Sequence, residues 1–423
     1  MPGALANSPA VVATSAAPRL LVVTDVSLSS GDPGAIFLRA LLSGYPSERL
    51  ALCEVTATPT AVPQELTGVA TKHVRRPREV GLRRFGDVTR RLSRRPIEWR
   101  LRRTEVPRVV REAVAFGRAE RVEAALVVLN GTTTIVSATS IAAGLRVPLY
   151  TLAWDPPAYR LADAWGLRGS LLSGYLHDFD DALRASTRTA VMSETMRDEF
   201  ERRYGVETVL MRLGVAREKW RTRDARDVES DFVIGYAGSL YARAEWNALL
   251  DALDLVNWRL GERAVRVRVL SGAFDARASG PVRFEFLGWR STDDTLALLA
   301  ATDLCYLPYW FAPRYDEVVR MSFPSKLSSY VAAGAPVFYH GPERSSPTAF
   351  LRRFPVGTCC HSLEPAEIAR QLEACASDPE FRQRAVAAGR RALEEELGLH
   401  VFHRRLAELV GAPVEALVAG GAR

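Results

Sequence analysis

The run Ser322-Phe323-Pro324-Ser325-Lys326-Leu327-Ser328-Ser329-Tyr330-Val331-Ala332-Ala333-Gly334-Ala335-Pro336-Val337 carries the strongest chemical signal in the chain. Pro324 should interrupt whatever precedes it, and Ser325 is a favourable N-cap residue, so a helix is expected to start there. Gly334 stands where a left-handed residue would end that helix, and Pro336 opens the next strand. Lys326 then falls in the first helical turn, where a cation opposes the helix dipole at a cost of about 0.3–1 kcal/mol. An anion bound at that turn reverses the balance, because dipole, backbone N–H groups and ammonium all address one charge. The chain has only three lysines (Lys72, Lys219, Lys326) beside 53 arginines, so a lysine here stands out. The bland alternative is a solvated lysine without a role.

Two glycine-bearing turns could bring backbone close to the same ligand. One is Ser29-Ser30-Gly31-Asp32-Pro33-Gly34, between an apolar run and a helical stretch; the other is Ile234-Gly235-Tyr236-Ala237-Gly238-Ser239-Leu240-Tyr241, with Arg243 just beyond. Neither is a GxGxxG fingerprint, and plain strand-to-helix turns account for both. Asp155, in Trp154-Asp155-Pro156-Pro157, follows an apolar strand and could orient a hydroxyl or take its proton. Turn initiation before two prolines accounts for it equally well. Asp178-Phe179-Asp180 has the DxD spacing of a metal site, but it reads as the opening of a helix, Asp180–Ala185, where acids serve the dipole. His400 and His403 lack a third ligand, so neither a metal nor any other cofactor is expected.

These residues need elements to position them. Short β-branched or aliphatic runs, Leu20–Val23, Ala125–Leu129, Pro148–Leu152, Thr189–Met192, Phe232–Tyr236, Val265–Leu270, Phe284–Leu287, Leu304–Leu307 and Pro336–Tyr339, read as strands. Helix-period stretches lie between them, including Gly34–Leu42, Val106–Arg118, Thr195–Tyr204, Glu245–Leu260, Thr292–Ala301 and Ser325–Ala333. The alternation predicts an α/β fold with parallel sheets covered on both faces. The pattern restarts after the polar stretch 219–231, which reads as a linker between halves 19–218 and 232–395. Residues 1–18 read as a flexible extension without a secretory signal, and 396–423 as a helix that could cross back over the cleft. Ligands of such sheets bind at strand carboxyl ends, hence between the halves.

The Phe-Pro-Ser-Lys-Leu run, a short helix and Ala-Ala-Gly-x-Pro-Val resemble the donor-binding segment of bacterial family 4-like glycosyltransferases of the GT-B fold. Asp303–Tyr309 resembles the strand before it, Phe286-Leu287-Gly288-Trp289 the loop where the nucleobase rests, and Gly34–Pro46 that group's first helix. The resemblance implies two Rossmann-like domains and metal-independent, retaining transfer of a sugar from a nucleotide diphosphate. It assigns Gly34, Gly238, Ser239, Arg243, Trp289, Ser325, Lys326, Leu327 and Ser329 to the donor, and Asp155 to catalysis on a saccharide or lipid-linked acceptor. Three positions depart from the pattern. Ser239 stands where many relatives have arginine, Ser329 where many have a ribose-binding glutamate, and no glutamate stands near Met321, Glu317 being the nearest. These departures keep open a catalytically inactive GT-B scaffold or nucleotide-binding protein, and a GT-B sugar-nucleotide epimerase.

Charge is concentrated in one place. The chain's formal net charge is +7, but residues 72–103 hold thirteen Lys/Arg against three acids, so the remainder is net acidic. Arg75, Arg76, Arg83, Arg84, Arg94 and Arg95, interleaved with apolar residues such as Trp99, suit docking on an anionic membrane surface or an acceptor. No nucleic-acid motif accompanies them. A solvated arginine-rich loop is the alternative. Five cysteines without CxxC spacing suggest reduced thiols and a cytoplasmic protein, peripheral to the membrane's inner face.

Overall fold

Apolar runs buried on both faces organise the computed structural model, which describes residues 16–59, 61–79, 95–222, 230–272 and 283–418. In β1 (Leu20–Thr24), Leu21 and Val23 enter one helix-covered layer while Leu20 and Val22 enter the other. This two-sided burial explains why the strands read as unbroken apolar runs. The first sheet continues with β2 (Leu50–Thr56), β3 (Ala70–Arg75), β4 (Ala124–Val128), β5 (Leu149–Leu152), β6 (Arg188–Val191) and β7 (Glu207–Leu210). Its order is β3-β2-β1-β4-β5-β6-β7, parallel throughout.

The second half repeats the plan. Its strands are β8 (Phe232–Ala237), β9 (Arg259–Leu260), β10 (Arg263–Leu270), β11 (Phe284–Phe286), β12 (Leu304–Pro308), β13 (Val337–His340) and β14 (Gly357–Cys360). The order is β11-β10-β8-β12-β13-β14, with β9 added antiparallel to β10. Each sheet reverses its strand order once, between β1 and β4 and between β8 and β12. A crevice forms at such a reversal, beyond the strand carboxyl ends.

Several expectations are corrected. The helix expected over Glu245–Leu260 is Arg243–Leu255, because Asn257 and Trp258 take positive φ (51° and 54°) and turn the chain into β9. Asp178 and Asp180 lie inside a helix, Gly169–Ala185, rather than at its start, and they pair with Arg102 and with Tyr204 and Arg203. Residues 16–18 are packed: Ala17 is buried, and Tyr45 Oη donates to the Pro18 carbonyl. Trp220, at the start of the linker stretch, is also buried; residues 223–229 of that stretch lie outside the described residues.

The end of the chain breaks at Gly398 into the helices Phe381–Ala392 and Leu399–Val410, joined by a π turn. Phe402, Leu406 and Leu409 of the helix Leu399–Val410 sit in the core of the first half. Arg212, with a side chain 2% exposed, fixes this crossing: it pairs with Glu194 at 2.6 Å and with Glu396. Among the described residues, no helix is long and apolar enough to cross a membrane.

Candidate functional site

The helix Ser325–Ala332 starts at the expected residue, but Pro324 rather than Ser325 holds the N-cap place, with extended backbone. Ser325 is therefore the first helical residue and caps nothing with its side chain. The C-terminus is as expected: Gly334 takes φ +64°, its N–H donates to Val331 O, and Ala335 N–H reaches Tyr330 O. That pair of bonds is a Schellman closure, which only a residue tolerant of left-handed backbone completes without strain.

Lys326 projects from the first turn toward the end of β8. Its ammonium donates to Tyr236 Oη at 2.9 Å and to the Ser239 carbonyl at 2.8 Å. It lies 4.3 Å from the Tyr236 ring centroid and 4.9 Å from that of Tyr241. No carboxylate pairs with it among the described residues, and burial lowers its pKa from the ordinary lysine value to about 7. An ammonium has three donors, so one N–H is left for a ligand. Gly238 takes φ +86°, and a Cβ there would stand 3.1 Å from Lys326 Cε. The glycine thus permits both the turn and the close approach of the lysine.

The two crevices open into one cleft of about 1040 Å³, lined by both halves. Gly34, Asp155, Gly238, Ser239, Trp289, Ser325, Lys326 and Ser329 all line it. Trp289 is on the rim, 62% exposed. Gly34 lets the first helix, Pro33–Leu42, sit against Trp154, whose ring a Cβ would meet at 3.1 Å. Asp155 follows β5 and accepts from Ser322 Oγ of the other half at 2.7 Å.

Two assigned residues lie elsewhere. Leu327 is fully buried in the core of the second half, as its position on the inner face of an amphipathic helix requires. Arg243 is exposed at the head of its own helix and does not line the cleft; Arg290, which sequence reasoning missed, lines it instead.

Arg76 also departs from expectation. It turns away from the surface, because Asp25 (2.8 Å) and Glu79 (2.6 Å) hold it at the end of the first-half crevice, where it lines the cleft. Asp25 is enclosed, burial raises its pKa, and Asn130 Nδ2 donates to it at 3.0 Å. Asn130 in turn accepts from Arg160. None of Asp25, Asn130 and Arg160 was singled out from sequence. Arg75, Arg95 and Trp99 remain exposed; Arg83, Arg84 and Arg94 lie outside the described residues. Among the described residues, no three His, Cys, Asp or Glu side chains are grouped as a metal site.

By sequence, no protein-family model and no curated protein matches this chain. By structure, it is similar to Anabaena HepE, solved in complex with UDP and glucose, at 16% identity and a TM-score of 0.62, over 94% of this chain and 100% of that one. It is also similar to sucrose-phosphate synthase from Thermosynechococcus elongatus (11% identity, TM-score 0.63, 92% and 97% of the two chains). A third similar structure is WaaG, a glycosyltransferase involved in lipopolysaccharide biosynthesis (10% identity, TM-score 0.57, 93% and 100%).

Proposed function

We propose, with the GT-B glycosyltransferase fold as premise, that this chain moves a glycosyl group from a nucleoside diphosphate sugar to an acceptor held by the first half. The observation that carries the reading is the Lys326 ammonium, half-buried without a carboxylate partner among the described residues and with one N–H unused, at the head of a helix facing the cleft. Arg290 adds a second cation on the same wall, and that wall carries no acid among the described residues. Such a wall suits a diphosphate. That Anabaena HepE has been solved with UDP-glucose supports the donor class.

In the transfer, the bond between the anomeric carbon and the diphosphate oxygen breaks, and the electron pair leaves with the diphosphate toward Lys326 and Arg290. The acceptor oxygen bonds to the anomeric carbon on the same face from which the diphosphate leaves and gives its proton to Asp155. Two protein cations do the work of a metal ion, and the configuration is retained. The exposed Arg75, Arg95 and Trp99 hold the enzyme on the inner face of an anionic membrane, near a saccharide or lipid-linked acceptor.

A thermal-shift screen against UDP, GDP and their sugar conjugates tests this reading. Stabilisation by at least one nucleotide supports it, and no shift with any contradicts it. Conversion of the donor to another sugar nucleotide without an acceptor would favour an epimerase instead.

A further inference from the structure

The first-half crevice contains a polar cluster whose geometry speaks to the acceptor. Asp25 has a fully enclosed side chain. Its Oδ1 accepts from Asn130 and its Oδ2 from Arg76, so neither oxygen is open to a ligand. Glu79 also stands behind Arg76, and its other oxygen accepts from the Thr133 backbone at 3.0 Å. Glu79 therefore lies at the back, while Arg76, Asn130 and Arg160 line the cleft beside Asp25, whose two oxygens are taken up by Arg76 and Asn130. Arg160 lines the cleft with Nη2 donating to Asn130 Oδ1, and its enclosed Nε has no partner among the described residues. Enclosed ion pairs add little stability over apolar packing, so the cluster is better explained by what it presents than by what it holds together.

The charges of the two walls differ. Arg290 and Lys326 face the cleft from the second half without an acid. On the first-half wall, Asp25, Asp32 and Asp155 accompany Arg76, Arg160 and Arg212. Arg76 is already neutralised from behind, and Asp155 stands in front. An anion entering here would add negative charge to a balanced set, whereas a hydroxyl can use the same donors and acceptors at no charge cost. Trp154 and Trp165 line the same space and offer apolar faces to the C–H side of a sugar ring.

Resting on the transfer reading above, we infer that Arg76, Asn130 and Arg160, backed by Asp25, form a subsite for an uncharged saccharide, so that the acceptor presents a neutral sugar rather than a uronate, a sugar phosphate or a plain lipid alcohol.

The test probes a glycan array of neutral, uronate-containing and phosphorylated saccharides with labelled, UDP-saturated protein, beside an Arg160→Gln variant. UDP affinity and thermal unfolding are measured separately for both proteins. The inference expects signals confined to neutral saccharides, reduced at least tenfold in the variant, with UDP affinity unchanged. Signals dominated by uronates or phosphates would overturn it, as would a blank array or a variant that binds like the parent. Failure of the parent to bind UDP would instead remove the donor reading, so the two failures are told apart.

Discussion

Ser322 Oγ donates a 2.7 Å hydrogen bond to Asp155 Oδ1, joining the segment that leads into the Lys326 helix to the acid at the end of β5. A second bond, from Ser193 Oγ to the Met321 carbonyl at 2.6 Å, ties the same segment to the first half. The acid at the end of β5 is thus positioned by the half that carries Lys326.

If Asp155 takes the acceptor proton, Asp155→Asn should lower kcat by about 100-fold, the lower end of what proton transfer contributes. UDP affinity should stay within about twofold, since Lys326 and Gly238 are untouched. Steady-state kinetics with parallel calorimetric titration measures both.

The pH dependence of nucleotide binding has a defined sign. Burial lowers the Lys326 pKa to about 7, so the free protein loses this charge as pH rises through that value. A bound diphosphate favours the ammonium and raises its pKa, so binding above pH 7 takes up a proton. UDP affinity should therefore fall between pH 7 and about pH 9, by up to tenfold per unit. Calorimetry in buffers of different ionisation enthalpy should register the proton uptake, and Lys326→Ala should remove both effects.

Gly131 should not tolerate a side chain. A Cβ there would stand 2.1 Å from Asp25 Oδ2 and 2.8 Å from Arg76 Nη2, two groups held by the buried pairings described above. Gly131→Ala should destabilise the fold by about 1–3 kcal/mol, as overpacking does. Chemical denaturation gives the value.

Docking through Arg75, Arg95 and Trp99 should require anionic lipid and fade with salt, because exposed charges are screened within about 10 Å at 0.1 M ionic strength. Sedimentation with vesicles of phosphatidylcholine, with and without phosphatidylserine, measures this. Trp99→Ala, at a residue 65% exposed, should weaken binding without changing the unfolding temperature.

What the sequence reveals follows from how far each signal reaches along the chain. β1, β4, β8 and β12 are legible because burial on both faces leaves unbroken apolar runs. β3 is not, since at the sheet edge its burial alternates irregularly and Lys72, His73 and Arg75 interrupt it. The helix Thr132–Leu145 is hidden as well, because its small residues are buried on most sides and show little period. In the site, Lys326 and Gly238 announce themselves through their own turns. The Asp25 cluster does not: Asp25 lies 51 residues from Arg76 and 105 from Asn130, and only the sheet order brings them together. The same limit applies to Arg290, which lines the cleft from a later loop, while Arg243, close in sequence to Gly238, does not line it.

Whether Lys326 receives the diphosphate is decided by UDP titration of Lys326→Ala beside the parent protein. Loss of a charged hydrogen bond should weaken binding by about 2 kcal/mol or more, roughly 30-fold, with the unfolding temperature little changed. UDP affinity equal to that of the parent protein would contradict the assignment.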